Sequence, residues 1–299
     1  MNTLVTGANG LVGSTIDSKF KPTRTRLDLM DIYDIIRYIN INQIDSIIHC
    51  AAKVGGIKAN SELLGEFYYE NIMMNTNVLE AARQTGIKKV VSFMSTCVFP
   101  AVATYPLTSD QIHNGEPHSS NYAYAYAKRM LEVQSRAYRE QYGCNFVTVI
   151  PCNIYGPNDN YNLDSGHVIP SLIHKCYLAK QNNTDFEIWG TGLAYREFVY
   201  SKDVGHITQW VLENYDDPEP FIISPDEEIC ISTIAQEIAW RMGFEGNLVY
   251  NGKMEGQWHK PSDNSKLKSL LPKYAFVPIE MGLQKSIDWF VENYEKVRK

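Results

Sequence analysis

At 299 residues, 44% hydrophobic and 21% charged, the chain has the composition of a soluble globular protein with enough length to bury one large core or two unequal ones. A net charge of −6 argues against nucleic-acid or anionic-membrane partners, and no apolar run approaches membrane-spanning length. The N-terminus enters a strand pattern without a secretory signal, and Cys50, Cys97, Cys144, Cys152, Cys176 and Cys230 show no C-x-x-C spacing. A reducing, cytoplasmic setting is expected, with no metal site and no disulfide scaffold.

Strand and helix patterns alternate through the first half, predicting parallel βαβ units. Thr3 to Thr6 reads as a short apolar strand, followed by Thr6-Gly7-Ala8-Asn9-Gly10-Leu11-Val12-Gly13 and a helix from about Leu11. Glycines there permit a tight turn, close backbone approach to a pyrophosphate and close helix packing. The phosphate would sit on N–H groups at the helix start. Placement at the head of a βα unit favours a dinucleotide over a purely structural turn.

An Asp or Glu ending the second strand ordinarily holds the ribose 2′-hydroxyl of NAD. Here that region is short and reads Lys21-Pro22-Thr23-Arg24-Thr25-Arg26, so the first helix and second strand must be abbreviated. Arg24 and Arg26 favour a 2′-phosphate, hence NADPH/NADP+, although two solvated surface arginines would look the same. Asp28 then marks the start of an adenine-contacting turn.

Ser46 to Cys50, Val90 to Met94 and Phe146 to Ile150 are further buried-strand candidates. Helical patterns run from about Leu63 to Gln84 and from Tyr122 to Tyr142, the second with Ser119, Ser120 and Asn121 as N-cap candidates. Beyond Ile150 a loop rich in Asn and Asp reaches Asp164, a helix spans Val168 to Lys180, and Phe198 to Tyr200 is strand-like. An amphipathic segment, Gly282 to Val297, ends the chain.

The expected fold is α/β: a Rossmann-type doubly wound parallel sheet with a smaller, mixed α/β C-terminal substrate lobe. With no repeat or flexible linker visible, that lobe is built from returning segments. The expected division is 1–152 with a return near 189–222 for the dinucleotide, and 153–188 with 223–299 for the substrate.

Tyr124 and Lys128 stand four residues apart, on one helix face. Such spacing also arises by chance, and Tyr122 and Tyr126 are decoys without a lysine at that distance. Ser95 lifts the pair, because it ends a candidate strand at the carboxyl edge where such sheets bind ligands. A lysine ammonium beside a phenol is expected to lower its pKa from about 10. The tyrosine then donates a proton to a developing alkoxide, and Ser95 hydrogen-bonds the same oxygen.

These features resemble the extended short-chain dehydrogenase/reductase family. The resemblance covers nearly the whole chain, with blocks at Ala51-Ala52-Lys53-Val54-Gly55-Gly56, Ser95-Thr96-Cys97-Val98-Phe99-Pro100, Asn153-Ile154-Tyr155-Gly156-Pro157 and Gly166-His167-Val168-Ile169-Pro170. Further blocks are Trp189-Gly190-Thr191-Gly192, Arg196-Glu197-Phe198 and Asn264-Ser265-Lys266-Leu267.

It implies a cofactor site of Gly7, Asn9, Gly10, Leu11, Val12, Gly13, Arg24, Arg26, Asp28, Ala51 and Ala52, completed by Tyr124 and Lys128. Asn9 stands where some members carry an arginine. The implied substrate is GDP-4-keto-6-deoxy-D-mannose, epimerised at carbons 3 and 5 and then reduced with NADPH at carbon 4. Cys97 and His167 become the epimerisation pair, joining Ser95, Tyr124 and Lys128; read alone, Cys97 is a core residue and His167 a helix-start residue. Asn153, Lys175, Trp189, Arg196 and Lys260 are implied to face the GDP-sugar, against local readings as a turn residue, surface charges or a core aromatic. Pairing through the two long helices into a homodimer is implied as well. Alternatives are an enzyme acting on another nucleotide-linked 4-keto sugar and a catalytically silent dinucleotide sensor.

Overall fold

The computed structural model describes residues 1–225, 227–252 and 257–299. The first half runs β1 (Thr3–Thr6), α1 (Ile32–Asn42), β2 (Ser46–His49), α2 (Ile57–Glu62), α3 (Leu64–Gln84), β3 (Lys89–Phe93), α4 (Tyr122–Tyr142) and β4 (Phe146–Pro151). There follow β5 (Asn153–Tyr155), α5 (Val168–Asn182), β6 (Phe186–Ile188), β7 (Tyr195–Tyr200), α6 (Ser201–Asn214), β8 (Phe221–Ile223) and β9 (Glu228–Cys230). The last elements are α7 (Ile231–Arg241), β10 (Leu248–Tyr250), α8 (Ser265–Leu270) and α9 (Ile279–Glu292).

Five strands form a parallel sheet in the order β1-β2-β3-β4-β8. Alternate residues enter different layers. Leu4, Ile47, Val90 and Phe146 meet Ile35, Val78, Leu79 and Leu131 from α1, α3 and α4, while Val5, Ile48, Val91 and Val147 meet Val204, Ile207 and Val211 of α6. Burial on both faces is why these strands read as continuous apolar runs rather than alternating ones. All carboxyl ends point to one edge, where the glycine turn, Cys50-Ala51, Ser95 and Cys152 emerge.

The first unit is abbreviated, as its short count of residues implies, and more so than a helix from about Leu11 would allow. The helix foreseen from Leu11 is a single 3-10 turn, Gly13–Thr15, and the second strand is one parallel bridge between Phe20 and Leu4. So few residues cannot recover the cost of nucleating an α-helix. The turn is closed by side chains instead: Thr15 Oγ1 donates to the Val12 carbonyl at 2.7 Å, and Lys21 Nζ donates to those of Ser14 and Ile16 at 3.3 and 2.8 Å.

The expected Leu63–Gln84 helix is α3, Leu64–Gln84, and a separate short helix, α2, precedes it across Leu63. At α4, Asn121 occupies the N-cap position but its side chain makes no capping bond, and Ser120 pairs with His118 instead. The final helix stops at Glu292, short of the expected Val297.

A second core gathers Ile169, Leu172 and Ile173 of α5, Ile234 and Ile238 of α7, and Leu283, Ile287 and Phe290 of α9. Strand β7 joins the two cores: Val199 packs with the sheet, while Phe198 and Tyr200 pack with the second core. It pairs in parallel with β5 and antiparallel with β9, and β6 pairs with β10. Among the described residues, no helix is long and apolar enough to cross a membrane.

Candidate active site

A cavity of about 1090 Å³ lies along the carboxyl edge of the sheet and extends to the second core. Its cofactor end is built by the glycine turn. Gly7 has φ +65°, and a Cβ there would lie 2.7 Å from the Ala51 nitrogen. A Cβ on Gly13 would strike the Gly7 carbonyl oxygen and lie 2.8 Å from Ala8 Cα. The bare backbone therefore forms a cradle that any side chain would fill, the shape a pyrophosphate requires. Asn9, Gly10, Leu11, Val12, Arg24, Asp28, Ala51 and Ala52 line the same end. Arg26 is not among the lining residues; its charge acts on Tyr38 of α1.

A buried polar chain ties this cradle to α4. The Ala51 N–H donates to Thr6 Oγ1 at 3.2 Å, and that hydroxyl lies 2.8 Å from His49 Nδ1. His49 Nε2 is 3.0 Å from Asn75 Oδ1, and Asn75 Nδ2 donates to the Ala127 carbonyl at 3.1 Å. Burial, followed by the nearby Lys128 charge, pushes His49 down to about 3, so the chain runs through a neutral imidazole. Isolated polar residues inside β2 and α3 carry no sequence signal for such a role.

Tyr124 and Lys128 project from α4 into the cavity. Lys128 is 1% exposed, and its Nζ donates to the Phe93 carbonyl at 2.9 Å and lies 5.9 Å from the Tyr124 ring centre. Burial pulls it down to about 8. The expected lowering of the Tyr124 pKa is not what the site produces: burial, followed by the proximity of Cys97, holds the phenol well above its ordinary range. Loss of hydration outweighs an ammonium engaged with a backbone carbonyl. Tyr124 is therefore protonated, as a proton donor must be.

Ser95 follows β3 and opens the 3-10 turn Thr96–Val98, with its side chain hydrogen-bonded to Cys97. Burial raises the Cys97 thiol; Ser95 and the charges of Lys260 and Lys128 pull the other way without prevailing. His167 precedes α5 and makes no side-chain capping bond. Its ring opens onto the cavity, and desolvation followed by the Arg298 charge lowers its pKa.

The His167 wall is fixed through the glycine block after β2. The Gly56 N–H donates to the Ser165 carbonyl at 2.7 Å, and a Cβ on Gly56 would lie 2.5 Å from the Gly166 oxygen. Asn60 Nδ2 donates to the Gly55 and Gly56 carbonyls at 2.5 and 3.1 Å, and Lys58 pairs with Asp164 at 2.7 Å.

At the far end stand Asn153, Lys175, Trp189, Arg196 and Lys260. Lys175 Nζ sits 4.1 Å from the Trp189 ring centre, a cation over an aromatic face, and burial lowers it to about 8. Asn153 Nδ2 donates to the Glu197 carbonyl at 2.8 Å, and Arg196 Nη1 to that of Tyr195 at 2.5 Å. Both Glu197 carboxylate oxygens accept the Ser262 N–H at 3.1 Å, and Glu228 Oε1 accepts that of Lys260 at 3.0 Å. These bonds hold the segment carrying Lys260, whose amine burial lowers to about 8. Lys53, Asp159, Glu197 and Arg298 also line the cavity, and sequence reasoning singled out none of them for the site.

One cavity thus offers a backbone cradle for a diphosphate, a phenol and a hydroxyl, a thiol and an imidazole, and several cations. That set suits proton transfer and reduction at a carbonyl carried by an anionic nucleotide sugar.

Comparison with known proteins agrees. The NAD dependent epimerase/dehydratase family model matches residues 3–224. The chain is 45% identical to the GDP-L-fucose synthase of Dictyostelium discoideum, covering 99% of this chain and 97% of that protein. It is 40% identical to a probable GDP-L-fucose synthase of Drosophila melanogaster, covering 99% of each. The crystal structure of a GDP-L-fucose synthetase from Naegleria fowleri bound to NADP superposes with a TM-score of 0.94 at 39% identity, covering 99% of this chain and 94% of that one. The chain belongs to the NAD dependent epimerase/dehydratase family, within the extended short-chain dehydrogenases/reductases.

Proposed function

We propose that the protein converts GDP-4-keto-6-deoxy-D-mannose to GDP-L-fucose by 3,5-epimerisation followed by NADPH-dependent reduction at carbon 4. The observation that carries this reading is that Cys97 and His167 line the same cavity as Ser95, Tyr124 and Lys128. A reductase alone has no use for the first pair.

Hydrogens on carbons 3 and 5 flank the 4-ketone and are acidified by it. Cys97 removes one as a proton, Ser95 and Tyr124 hydrogen-bond the enolate oxygen, and His167 returns a proton to the opposite face. Reduction destroys the ketone, so both inversions precede it. Tyr124 then gives its phenolic proton to the carbon-4 alkoxide, with the Lys128 charge favouring that transfer. NADPH, when bound, supplies the hydride. The cradle formed by Gly7 to Gly13 with Ala51 and Ala52 fits its diphosphate, and Arg24 faces its 2′-phosphate. Arg196 and Lys260 offset the charge of the GDP diphosphate, while Asn153, Lys175 and Trp189 border the nucleotide sugar.

Unpaired thiols at all six cysteines fit a cytoplasmic setting. Two copies pair through α3 and α4, whose exposed Tyr68, Tyr69 and Tyr122 supply apolar surface for the contact.

The decisive experiment incubates the protein with the GDP-keto-sugar in deuterated water without NADPH. Deuterium at carbons 3 and 5 is expected, and its absence refutes the epimerase half. Addition of NADPH is then expected to yield GDP-L-fucose.

A further inference from the structure

Residues 257–263 run between the loop that follows the Cys97 turn and strands β7 and β9, bonded on both edges. On the loop side the Gln257 Nε2 donates to the Ala101 carbonyl at 3.1 Å. The Leu107 N–H donates to the Pro261 carbonyl and the Asp263 N–H to the Leu107 carbonyl, each at 2.8 Å, closing a parallel bridge between Leu107 and Ser262. On the strand side the Tyr195 N–H donates to the Trp258 carbonyl at 2.9 Å, but further along the partners are side chains. Glu228 Oε1 accepts the Lys260 N–H at 3.0 Å, and both Glu197 oxygens accept the Ser262 N–H at 3.1 Å. Alternate N–H groups of an extended segment leave by the same edge, so two carboxylates stand where the carbonyls of a further strand would.

Those carboxylates come at a cost. Glu197 of β7 is paired directly with Glu228 of β9 in the antiparallel ladder, where like charges repel. Glu197 is also 3% exposed, so desolvation adds to the repulsion. Glu228 Oε2 meets His259 Nδ1 at 2.6 Å, which engages one of its oxygens and leaves the other for the Lys260 N–H. In this arrangement two strong acceptors grip the backbone on either side of Pro261. Lys260, one of the two gripped residues, lines the catalytic cavity.

We infer that Glu197 and Glu228 are positioning residues for the GDP diphosphate, acting through Lys260. A lysine ammonium is a point charge on a flexible four-carbon stem, so where it can reach is set by where its backbone is fixed. The clamp fixes that backbone at Lys260 itself, through its own N–H, and again two residues on. The opposite edge is held by Leu107, so the segment cannot slide without breaking bonds on both sides. Removing the Glu228 acceptor frees the Lys260 N–H and lets the amine leave the diphosphate. The sign of that effect is diagnostic. By charge alone, loss of a carboxylate near an anion tightens binding of the anion. Loss of a clamp weakens it.

This rests on the proposed placement of Lys260 at the GDP diphosphate, and the test separates the two. GDP binding to NADP-loaded protein is measured by calorimetry for wild type, Lys260→Met, Glu228→Ala and the double variant. Wild type that binds no GDP, or GDP binding that Lys260→Met leaves unchanged, would sink that placement and the inference with it. Lys260→Met is expected to weaken GDP about 10-fold, the scale of one hydrogen bond to a charged group. Glu228→Ala is expected to weaken it about 5-fold, the scale of one net hydrogen bond. With Lys260 already Met, the same change should cost less than about 2-fold, because the two residues act as one. That coupling is a readout that a merely structural role would not produce. Glu228→Gln, which keeps an acceptor, is expected to bind GDP close to wild type, and NADPH affinity should be unchanged throughout. With Lys260→Met weakening GDP, unchanged or tighter binding in Glu228→Ala overturns the inference alone. So does equal weakening with and without Lys260. If Glu228→Ala does not accumulate as folded protein, Glu228→Met is read by the same criteria.

Discussion

Gly56→Ala tests whether the seam between the glycine block and the His167 loop sets epimerisation. The added Cβ would lie 2.5 Å from the Gly166 oxygen, whereas ordinary contact begins at 3.4 Å, so the walls must part by about 0.9 Å (3.4 − 2.5). The 2.7 Å bond from Gly56 N–H to Ser165 then stretches to near 3.6 Å and is lost. A lost hydrogen bond costs about 1 kcal/mol and overpacking about 1–3 kcal/mol. The stability loss is therefore about 2–4 kcal/mol, read from the urea midpoint. His167 directly follows Gly166, and a displacement near 1 Å costs about 100-fold in a positioned reaction. Deuterium exchange without NADPH should fall by that factor, while reduction of a pre-epimerised sugar stays within a few-fold. Exchange at the wild-type rate, despite the expected destabilisation, would refute the role of the seam.

Tyr124→Phe should lower keto-sugar reduction by about 10²–10⁴-fold and leave NADPH affinity, followed by cofactor fluorescence, nearly unchanged. Normal turnover would remove Tyr124 as the proton donor. Cys97→Ser should abolish isotope exchange while sparing reduction of a pre-epimerised substrate; equal loss of both would make Cys97 structural. Lys128 has a folded-state pKa near 8 against 10.5 in the unfolded chain, so unfolded protein binds more protons between those values. Stability from this group rises with pH through that window. Wild type should therefore gain on Lys128→Met in urea midpoint from pH 8 to pH 10, and a constant difference would contradict the buried-ammonium assignment.

Strands β1 to β4 were legible because both faces are buried, which leaves short apolar runs bounded by turn residues. The glycine turn was legible because backbone contact with Ala51 tolerates no Cβ. The loss of the first helix was legible only as a short count of residues; that Lys21 and Thr15 close its replacement depends on contacts between separate turns. Ser95, Tyr124 and Lys128 stood out by their offsets from a strand end and along one helix face. By contrast, Arg298 is held beside the site by its carbonyl, which accepts the Tyr161 N–H at 2.9 Å, and nothing near the C-terminus marks that contact. Asp159 looks like one more polar loop residue until its burial is known. The Tyr124 pKa was misread for the same reason. Sequence shows the lysine four residues away, but not that its ammonium is engaged by Phe93 or that desolvation of the phenol outweighs it.

Desolvation by the cavity walls sets the proton inventory of the site. It favours the Cys97 thiol, the neutral His167 ring and the Tyr124 phenol together. Thiol with imidazole holds the same number of protons as thiolate with imidazolium, but with the proton on the wrong partner for taking one hydrogen and returning another. The resting pair is thus the discharged pair, the form that an inversion leaves behind. In the open cleft His167 is accessible, so water can move that proton before substrate arrives. Once the sugar fills the cavity, that exchange with bulk water is hindered. The first and second inversions therefore share their residues and differ in access to water.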